Sequence, residues 1–405
     1  MALPCDGLDN IKRTDRDAEI LRLQQLISFS PDEGPDGSQR ILHLVGKSAV
    51  GKTFLLCHYK KFSLKNTRSV FLSFDEYAKK TDDEFFEDVM NSLASSLGFQ
   101  VDNFLEKGKQ DVSLWFATQL KISQNKGIVV FLLDEVSVLS YIQVQLLENY
   151  LLEGILSLPN IVLVLAGRRL VTGWKNFSLR PDENNVIELS NFDFQYTQEQ
   201  IQALNPHIDN LVPEIYETSD GSPGNNKKII EQLGDPPQFN VSNAIRACNQ
   251  EFYEALTSVN DGLPESIASE LLPALEALCV LEDFDKEYEM PVMLSVHPSL
   301  HGTWTVKRCS DLLNNLISKI QIGPGKLVDY DIKKSALAME EQTRANLEKE
   351  LKIRDMNLWK TFHCAAMNMY SGWAEQYGMD SIYVKKAEDH KRKLIEAGFD
   401  PETCG

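Results

Sequence analysis

Eight consecutive residues have the types and spacing of a phosphate-binding loop. They fit the pattern G-x-x-x-x-G-K-[ST], in the order Gly46, Lys47, Ser48, Ala49, Val50, Gly51, Lys52 and Thr53. Glycine at both ends allows backbone N–H groups to turn inward around an anion, and the N-terminus of a following helix adds partial positive charge. We expect Lys52 to reach the β- and γ-phosphates of a nucleotide and the Thr53 hydroxyl to ligate Mg²⁺. The next residue, Phe54, is included in the predicted nucleotide site.

Two adjacent acids follow an apolar stretch further along the chain. Residues Gly127 to Asp134 read GIVVFLLD, and Glu135 comes next. A carboxylate at the end of a buried strand, in a sheet that carries a phosphate-binding loop, is the Walker B arrangement, in which the aspartate holds magnesium. We therefore predict that Asp134 serves the metal and that Glu135 is the base for a hydrolytic water. The alternative is a pair of acids that merely ends a strand in solvent.

A cation follows the next apolar stretch. Residues Asn160 to Ala166 read NIVLVLA and lead into Gly167, Arg168 and Arg169. A fixed cation at this position can detect the γ-phosphate and stabilise charge in the transition state of hydrolysis. Either arginine could face the nucleotide, and we prefer Arg168. The alternative is that both arginines are solvated surface residues.

The stretches that carry these residues predict an α/β fold. Four apolar segments of strand length alternate with helical patterns, and a fifth follows, so the sequence predicts a three-layer P-loop NTPase with a parallel sheet. Its ligand should lie at the edge where the carboxyl ends of the strands meet. The predicted strands are Ile41 to Val45, Arg68 to Phe74, Gly127 to Asp134, Asn160 to Ala166 and Asn185 to Leu189.

Four parts are predicted along the chain. The P-loop NTPase core covers residues 11–190, a helical lid 191–260, a winged-helix-like domain 261–335 and a C-terminal helical segment 336–405. Thr197 to Gln200 has the capping-box pattern, which predicts a helix start within the lid. Two or three domains are also what 405 residues require, because one core rarely grows to that size.

Composition narrows the partners and the compartment. The formal net charge of −18 argues against a nucleic-acid partner, because such proteins usually carry a basic stripe or a basic domain. The seven cysteines are widely spaced with no C-x-x-C pair, which favours reduced thiols and excludes an evident zinc site. The first residues contain no apolar signal core, and no apolar run is long enough to span a membrane. We expect a cytoplasmic protein.

The order of these motifs resembles the STAND class of signalling P-loop NTPases, which are relatives of AAA+ proteins. Beside the P-loop and Walker B, the resemblance rests on an R-x-x-E pattern from Arg16 to Glu19, on the strand that ends in Gly167 and Arg168, and on three further matches. These are a G-x-P turn, a region in winged-helix order and the pattern Phe362-His363-Cys364-Ala365-Ala366. The resemblance implies that Arg16 belongs to the nucleotide site and that Pro223, in the G-x-P turn, lies against the adenine. It implies ATP or ADP with Mg²⁺ as the ligands.

Two departures from the family pattern leave the output open. The stretch Val328 to Asp331 lacks the histidine with which some members contact ADP, and we find no repeat of the 34-residue kind that could serve as a sensor. The resemblance implies a switch in which ADP/ATP exchange rearranges the domains and permits association with itself or with a protein partner. The alternative is an AAA-type ATPase whose winged helix binds DNA. A third possibility is that the sensor and effector belong to another protein.

The charge of the winged-helix-like region distinguishes the switch from the ATPase that binds DNA. Between Asp261 and Glu340 there are 13 acidic and 7 basic residues, a formal charge of −6. The predicted recognition helix offers only Lys307, Arg308 and Lys319 to phosphates. We therefore favour the switch, a slow ATPase, over DNA binding.

Overall fold

The structure is a computed structural model in which the chain divides into two compact units, Met1–Ile230 and Glu231–Gly405. Among the described residues, no helix has both the length and the apolar character that crossing a membrane requires. The residues described are 16–28, 40–62, 67–100, 108–123, 127–171, 173–234, 237–260, 265–317, 319–322, 325–331, 336–378 and 381–404.

A five-stranded parallel sheet forms the centre of the first unit. Its order is β2-β3-β4-β1-β5, so one strand, β4, lies between the strand before the P-loop and the strand that ends in Asp134. All seven residues of β4 are buried, as expected of a parallel strand covered on both faces. The prediction of a parallel α/β sheet is confirmed. The strands are β1 Ile41–Val45, β2 Thr67–Ser73, β3 Ile128–Asp134, β4 Ile161–Gly167 and β5 Val186–Glu188.

Helices cover both faces of this sheet. One apolar core joins the sheet to α3, α4 and the helical segment that follows β3, and another joins it to α1 and α2. Five residues between α5 and α6, Glu148–Leu152, form a π-helical turn. The helices are α1 Asp17–Ser28, α2 Lys52–Phe62, α3 Asp82–Ser96, α4 Lys109–Ser123, α5 Tyr141–Leu147, α6 Glu153–Leu156, α7 Phe194–Leu204, α8 Val212–Ser219 and α9 Pro223–Gln232.

The helix start predicted at Thr197, within the lid, is wrong by four residues. Helix α7 begins at Phe194 because the Asp193 side chain accepts a hydrogen bond from the Tyr196 N–H, at 2.9 Å. Thr197 lies inside the helix and is fully buried, and the Gln200 side chain donates to the Pro223 carbonyl. The Thr–Gln spacing therefore serves packing within the lid and does not cap its helix.

The second unit combines eight helices with two short antiparallel strand pairs among its described residues. Strand β9 pairs with β8 across the predicted boundary between residues 335 and 336, and the boundary itself stays a prediction. The predicted lid, 191–260, is also divided, because Phe252 and Leu256 of α11 belong to the core of the second unit. The winged-helix assignment stays a prediction. The elements are α10 Val241–Cys248, α11 Gln250–Asn260, α12 Glu265–Leu278, α13 Glu289–Ser295, α14 Val306–Ile317, β6 Gln321–Ile322, β7 Gly325–Lys326, β8 Val328–Asp331, β9 Ala336–Met339, α15 Glu341–Arg354, α16 Met356–Tyr377 and α17 Ile382–Glu396.

The expectation of reduced cysteines is wrong for Cys57, Cys364 and Cys404, each of which is disulfide-bonded. Cys364 on α16 and Cys404 near the end of the chain form a disulfide, with their Cα atoms 5.1 Å apart. The spacing of 40 residues gave no signal for this pairing, because only the tertiary fold returns the chain to α16.

A chain of hydrogen bonds joins three ionisable side chains inside the second unit. His363 Nδ1 lies 2.8 Å from His390 Nδ1, and His363 Nε2 lies 3.2 Å from Glu348 Oε1. Both imidazoles are buried. With Glu348 ionised, His363 donates from Nε2 and accepts at Nδ1 from His390, so a second proton on His363 would break the imidazole pair.

We expect the pKa values of His363 and His390 to lie below the ordinary value of a histidine. Burial lowers the pKa of His363 below 6.5 and that of His390 well below it, and the positive charge of Lys393 acts in the same direction. A pH titration of histidine-labelled full chain by NMR, with His390→Phe to assign the signals, measures both values. Titration of either imidazole at pH 6.5 or above would contradict this arrangement.

These pKa shifts also determine how the free energy of unfolding depends on pH. Below pH 6.5 the unfolded chain binds protons that the folded imidazoles do not, so the free energy of unfolding should fall on acidification. Glu289 acts in the opposite direction, because burial raises its pKa to about 7 and the folded state then takes up a proton first. Urea unfolding of Glu289→Gln should therefore show a steeper loss of stability between pH 7 and 5.5 than the unchanged chain.

Candidate functional site

The loop between β1 and α2 has the backbone of an anion cradle. Gly51 adopts φ +99°, and Ala49 adopts the left-handed conformation at φ 61°. Gly46 is needed for a different reason than the one predicted, since a Cβ there would lie 2.8 Å from a Val50 methyl and 2.9 Å from the Leu189 carbonyl. Close packing, and not an unusual φ, therefore selects glycine at position 46.

The side chains of the other loop residues differ in their burial and in their contacts. The Lys52 ammonium is buried and donates to the carbonyls of Gly46 and Lys47, at 2.8 and 2.9 Å. The Lys47 side chain is exposed, and Ser48 and Phe54 are half-buried. The Val50 side chain is buried in the core, so this residue offers the site only its backbone.

A short hydrogen bond joins the P-loop helix to the Walker B strand. Thr53 Oγ1 donates to Asp134 Oδ2 at 2.6 Å, and Asp134 Oδ1 accepts from the Glu135 N–H at 3.0 Å. Burial raises the pKa of the Asp134 carboxyl to about 6, and the Glu135 carboxylate adds to this, while Thr53 and Lys52 oppose it. Hydroxyl and carboxylate oxygens are the donors that Mg²⁺ prefers, and the metal needs few protein ligands when phosphates and waters supply the rest. The donor set therefore fits the predicted metal.

Glu135 lies between two cations. Its Oε1 is 3.9 Å from Lys52 Nζ, and its Oε2 is 3.8 Å from Arg168 Nε. Within the described part of the chain, the buried Oε2 accepts no hydrogen bond. Glu135 adopts φ 54° and ψ 36°, a left-handed conformation that is unfavourable for a residue with a Cβ. A buried acceptor held this way is suited to a donor that arrives with the ligand, such as a water.

The two arginines after β4 have different neighbours. Arg168 faces Glu135, whereas Arg169 lines a small cavity together with His43 and Trp174. The choice of Arg168 as the residue that faces the nucleotide stays a prediction, and this placement supports it.

Arg16 supports the P-loop from α1. Its Nη2 donates to the Val50 carbonyl at 3.1 Å and to the Ser190 carbonyl at 2.7 Å, and its guanidinium lies 5.0 Å from the centre of the Phe192 ring. Its Nη1 contacts Glu19, the other charged residue of the R-x-x-E pattern. The buried guanidinium thus ties the P-loop to the segment after β5. Direct contact of Arg16 with a nucleotide stays a prediction.

The G-x-P turn of the lid contacts the P-loop backbone. The Ala49 carbonyl accepts from the Gly224 N–H at 2.9 Å and from the Ser222 hydroxyl at 3.3 Å. A Cβ at position 224 would lie 2.7 Å from Ala49 Cβ, so only glycine fits there. Pro223, predicted to face the adenine, is buried within this turn, and its role toward the ligand stays a prediction.

Sequence reasoning missed the residues that support the site from elsewhere in the chain. Ser222 and Gly224 hold the Ala49 carbonyl, and the Ser137 hydroxyl accepts a hydrogen bond from the Arg168 N–H at 2.9 Å. Their one sequence signal is position, since each lies within two residues of a predicted motif.

Comparison with solved structures gives matches at low identity. A Walker-type ATPase of Pyrococcus abyssi is 16% identical over 85% of this chain and 99% of its own, with a TM-score of 0.48. The Orc1 protein of Aeropyrum pernix, solved in complex with DNA, is 14% identical over 87% and 95%, with a TM-score of 0.45. A STAND protein with a tetratricopeptide repeat sensor from Pyrococcus horikoshii is 13% identical over 96% and 51%, with a TM-score of 0.35. No protein-family model and no curated protein matches the chain.

The class of protein follows from the chain's own sheet and motifs. A parallel sheet, a P-loop between β1 and α2, and paired acids at the end of a strand two places away define a P-loop NTPase.

We expect Gly224→Ala to weaken binding of ATP and ADP alike, by about tenfold or more. The added methyl cannot fit beside Ala49, so the lid must withdraw from the P-loop carbonyl that it now holds. Isothermal titration with both nucleotides measures the change. Gly154→Ala is the matched control, because a Cβ there meets its nearest atoms at 3.6 and 3.7 Å, an ordinary contact. Unchanged affinity in Gly224→Ala would show that the lid contact does not support the phosphate site.

Proposed function

We propose that this protein binds ATP or ADP with Mg²⁺ and hydrolyses ATP slowly. The observation that carries the proposal is the 2.6 Å hydrogen bond from Thr53 to Asp134, which brings the P-loop helix and the Walker B strand into one site. Lys52 and Glu135 lie beside this pair. The side chains that would bind the phosphates, the metal and the hydrolytic water thus belong to one cluster.

Each side chain has a role in this proposal. Lys52 and the loop N–H groups of residues 46 to 53 bind the phosphates, and Thr53 and Asp134 hold the metal. A bound Mg²⁺ supplies neutralisation of phosphate charge as the bond to the leaving group breaks. Glu135 orients the attacking water and accepts its proton, and Arg168 binds the γ-phosphate.

We propose further that nucleotide exchange serves a STAND-like switch. The contacts of Gly224 and Ser222 with the Ala49 carbonyl support this, because the lid turn and the phosphate site share one stretch of backbone. A change of ligand at the P-loop is then transmitted to the lid as a change in these two hydrogen bonds. In this proposal, ADP and ATP states differ in domain arrangement and in association with another copy or a protein partner.

One observation weakens the alternative of an ATPase that binds DNA. Arg308, one of the three cations offered by the predicted recognition helix, has its Nη2 2.6 Å from Glu270 and its guanidinium 3.8 Å from the centre of the Trp304 ring. A guanidinium engaged in an ion pair and a ring contact has less of its charge and fewer of its donors available to a phosphate. The formal charge of −6 between Asp261 and Glu340 also opposes binding to the phosphates of DNA.

We expect Glu135→Gln to keep ATP binding and to lower hydrolysis by about a hundredfold or more. The amide keeps the size and most hydrogen bonding of the carboxylate but cannot accept the proton of the water. The variant should therefore accumulate in its ATP state and associate at ATP concentrations where the unchanged chain does not. Phosphate release measures the hydrolysis, and mass photometry with ATP and with ADP measures the association.

Lys52→Ala is the control for that experiment and should bind neither nucleotide tightly. Retained affinity in Lys52→Ala would show that the P-loop is not the nucleotide site. If Glu135→Gln hydrolyses slowly but has the same mass with both nucleotides, the self-associating switch is wrong and partner association remains.

We expect no submicromolar binding of random duplex DNA at low salt. The predicted recognition helix offers few cations that could release counterions from DNA. Both the affinity and its salt dependence should therefore be small. Fluorescence anisotropy with the full chain, with and without ATP, tests this. Tight binding that falls steeply with added salt would favour the DNA-handling alternative.

A further inference from the structure

We propose that Ser137 is a positioning residue for the hydrolytic site, and that it acts by fixing the end of β4 so that Arg168 faces Glu135. The proposal rests on the nucleotide-dependent function proposed above. It adds a residue that lies outside every recognised motif, in the short 3₁₀ turn Val136–Val138.

A hydrogen bond joins the two segments. The Arg168 N–H donates to Ser137 Oγ at 2.9 Å, immediately after the last residue of β4. At this point the chain leaves the sheet, so the hydroxyl provides an acceptor where the strand ladder no longer does. This hydrogen bond fixes the direction of the backbone at Arg168 relative to the turn that follows Glu135.

A close approach of backbone supports the same assignment independently. A Cβ at position 167 would lie 2.9 Å from both Cβ and Oγ of Ser137, a distance that real Cβ atoms do not reach. Glycine at the end of β4 therefore allows the turn to pack directly on the strand. The contact therefore depends on two residues, Ser137 in the turn and Gly167 at the end of β4.

The same turn sets the position of Glu135. The left-handed conformation of Glu135 directs the chain into the 3₁₀ turn, two residues before Ser137. Ser137 therefore links the backbone of Glu135 with the backbone of Arg168, whose guanidinium faces Glu135 from the end of β4. The result is the distance of 3.8 Å between Arg168 Nε and Glu135 Oε2. An arginine held at one distance from this carboxylate can distinguish a nucleotide with a γ-phosphate from one without it.

Removal of the hydroxyl should change nucleotide preference and leave general binding unchanged. We expect Ser137→Ala to weaken a slowly hydrolysed ATP analogue by about three- to tenfold while ADP affinity stays the same, which is the range for one lost hydrogen bond. Ser137→Thr keeps the hydroxyl and should restore the preference. Gly167→Ala, which pushes the turn away, should repeat the loss. Isothermal titration of the full chain with Mg²⁺ and each nucleotide gives the ratios.

A double-mutant cycle with Arg168→Ala separates positioning from a general structural role. If Ser137 acts through Arg168, then Ser137→Ala adds no further change in the ATP/ADP ratio once Arg168→Ala is present. Ser157→Ala is the matched control, since its hydroxyl also contacts backbone, the Gly154 carbonyl at 2.8 Å, and Ser157 precedes β4 whereas Arg168 follows it. That variant should retain the preference of the unchanged chain.

The outcomes distinguish this proposal from the function on which it rests. If the unchanged chain binds neither nucleotide, the proposed function fails and takes this inference with it. If the unchanged chain prefers ATP through Arg168, the function stands, and a wild-type ratio in Ser137→Ala overturns only the positioning role. An equal loss for both nucleotides, or a loss that persists beside Arg168→Ala, overturns it as well.

Discussion

The first unit depends on how it compensates buried charge at one edge of its sheet. Lys52, Asp134, Glu135 and Arg16 are all less than a tenth exposed, and an isolated buried charge costs several kcal/mol. Each is therefore paired with an opposite charge or a backbone dipole. Lys52 donates to two loop carbonyls, Arg16 donates to two further carbonyls, and Asp134 accepts from Thr53. A nucleotide with its metal would enter a site whose charges are already arranged to receive phosphate and cation, which limits the reorganisation that binding requires.

The backbone carbonyls of the P-loop connect this site with the rest of the unit. The carbonyl of Ala49 accepts hydrogen bonds from Ser222 and Gly224 of the lid turn, and the carbonyl of Val50 accepts one from Arg16. Two glycines permit these approaches. Gly221, at φ +69°, allows the lid turn to pass beside Phe192, and Gly224 leaves room for Ala49. The lid turn therefore contacts the same stretch of backbone that carries the P-loop motif.

Buried polar groups stabilise both units in ways that apolar periodicity does not indicate. In the first unit, the fully buried Glu148 of the π-helical turn accepts from the N–H groups of Lys175 and Asn176 and so fixes the segment after β4. In the second, Glu348 is held by His363 and Lys393, and these contacts outweigh burial and lower its pKa to about 2. Such groups are satisfied only in one arrangement of helices, which favours a unique packing over alternatives.

The sequence by itself determined the class of fold, the strands and which residue types at each motif could carry chemistry. These are local properties, since an apolar run of strand length, a glycine spacing and a terminal Asp134 each lie within a few neighbouring residues. Tertiary structure alone decided what supports them. Arg16 reaches Val50 across 34 positions, Arg168 reaches Ser137 across 31, and Ser222 reaches Ala49 across 173. The helix start at Phe194, the Cys364–Cys404 disulfide and the pairing of β8 with β9 belong to the same class of result. A hydroxyl, a thiol or a small residue carries no periodicity of its own, so its role is set by whichever distant segment the fold places against it.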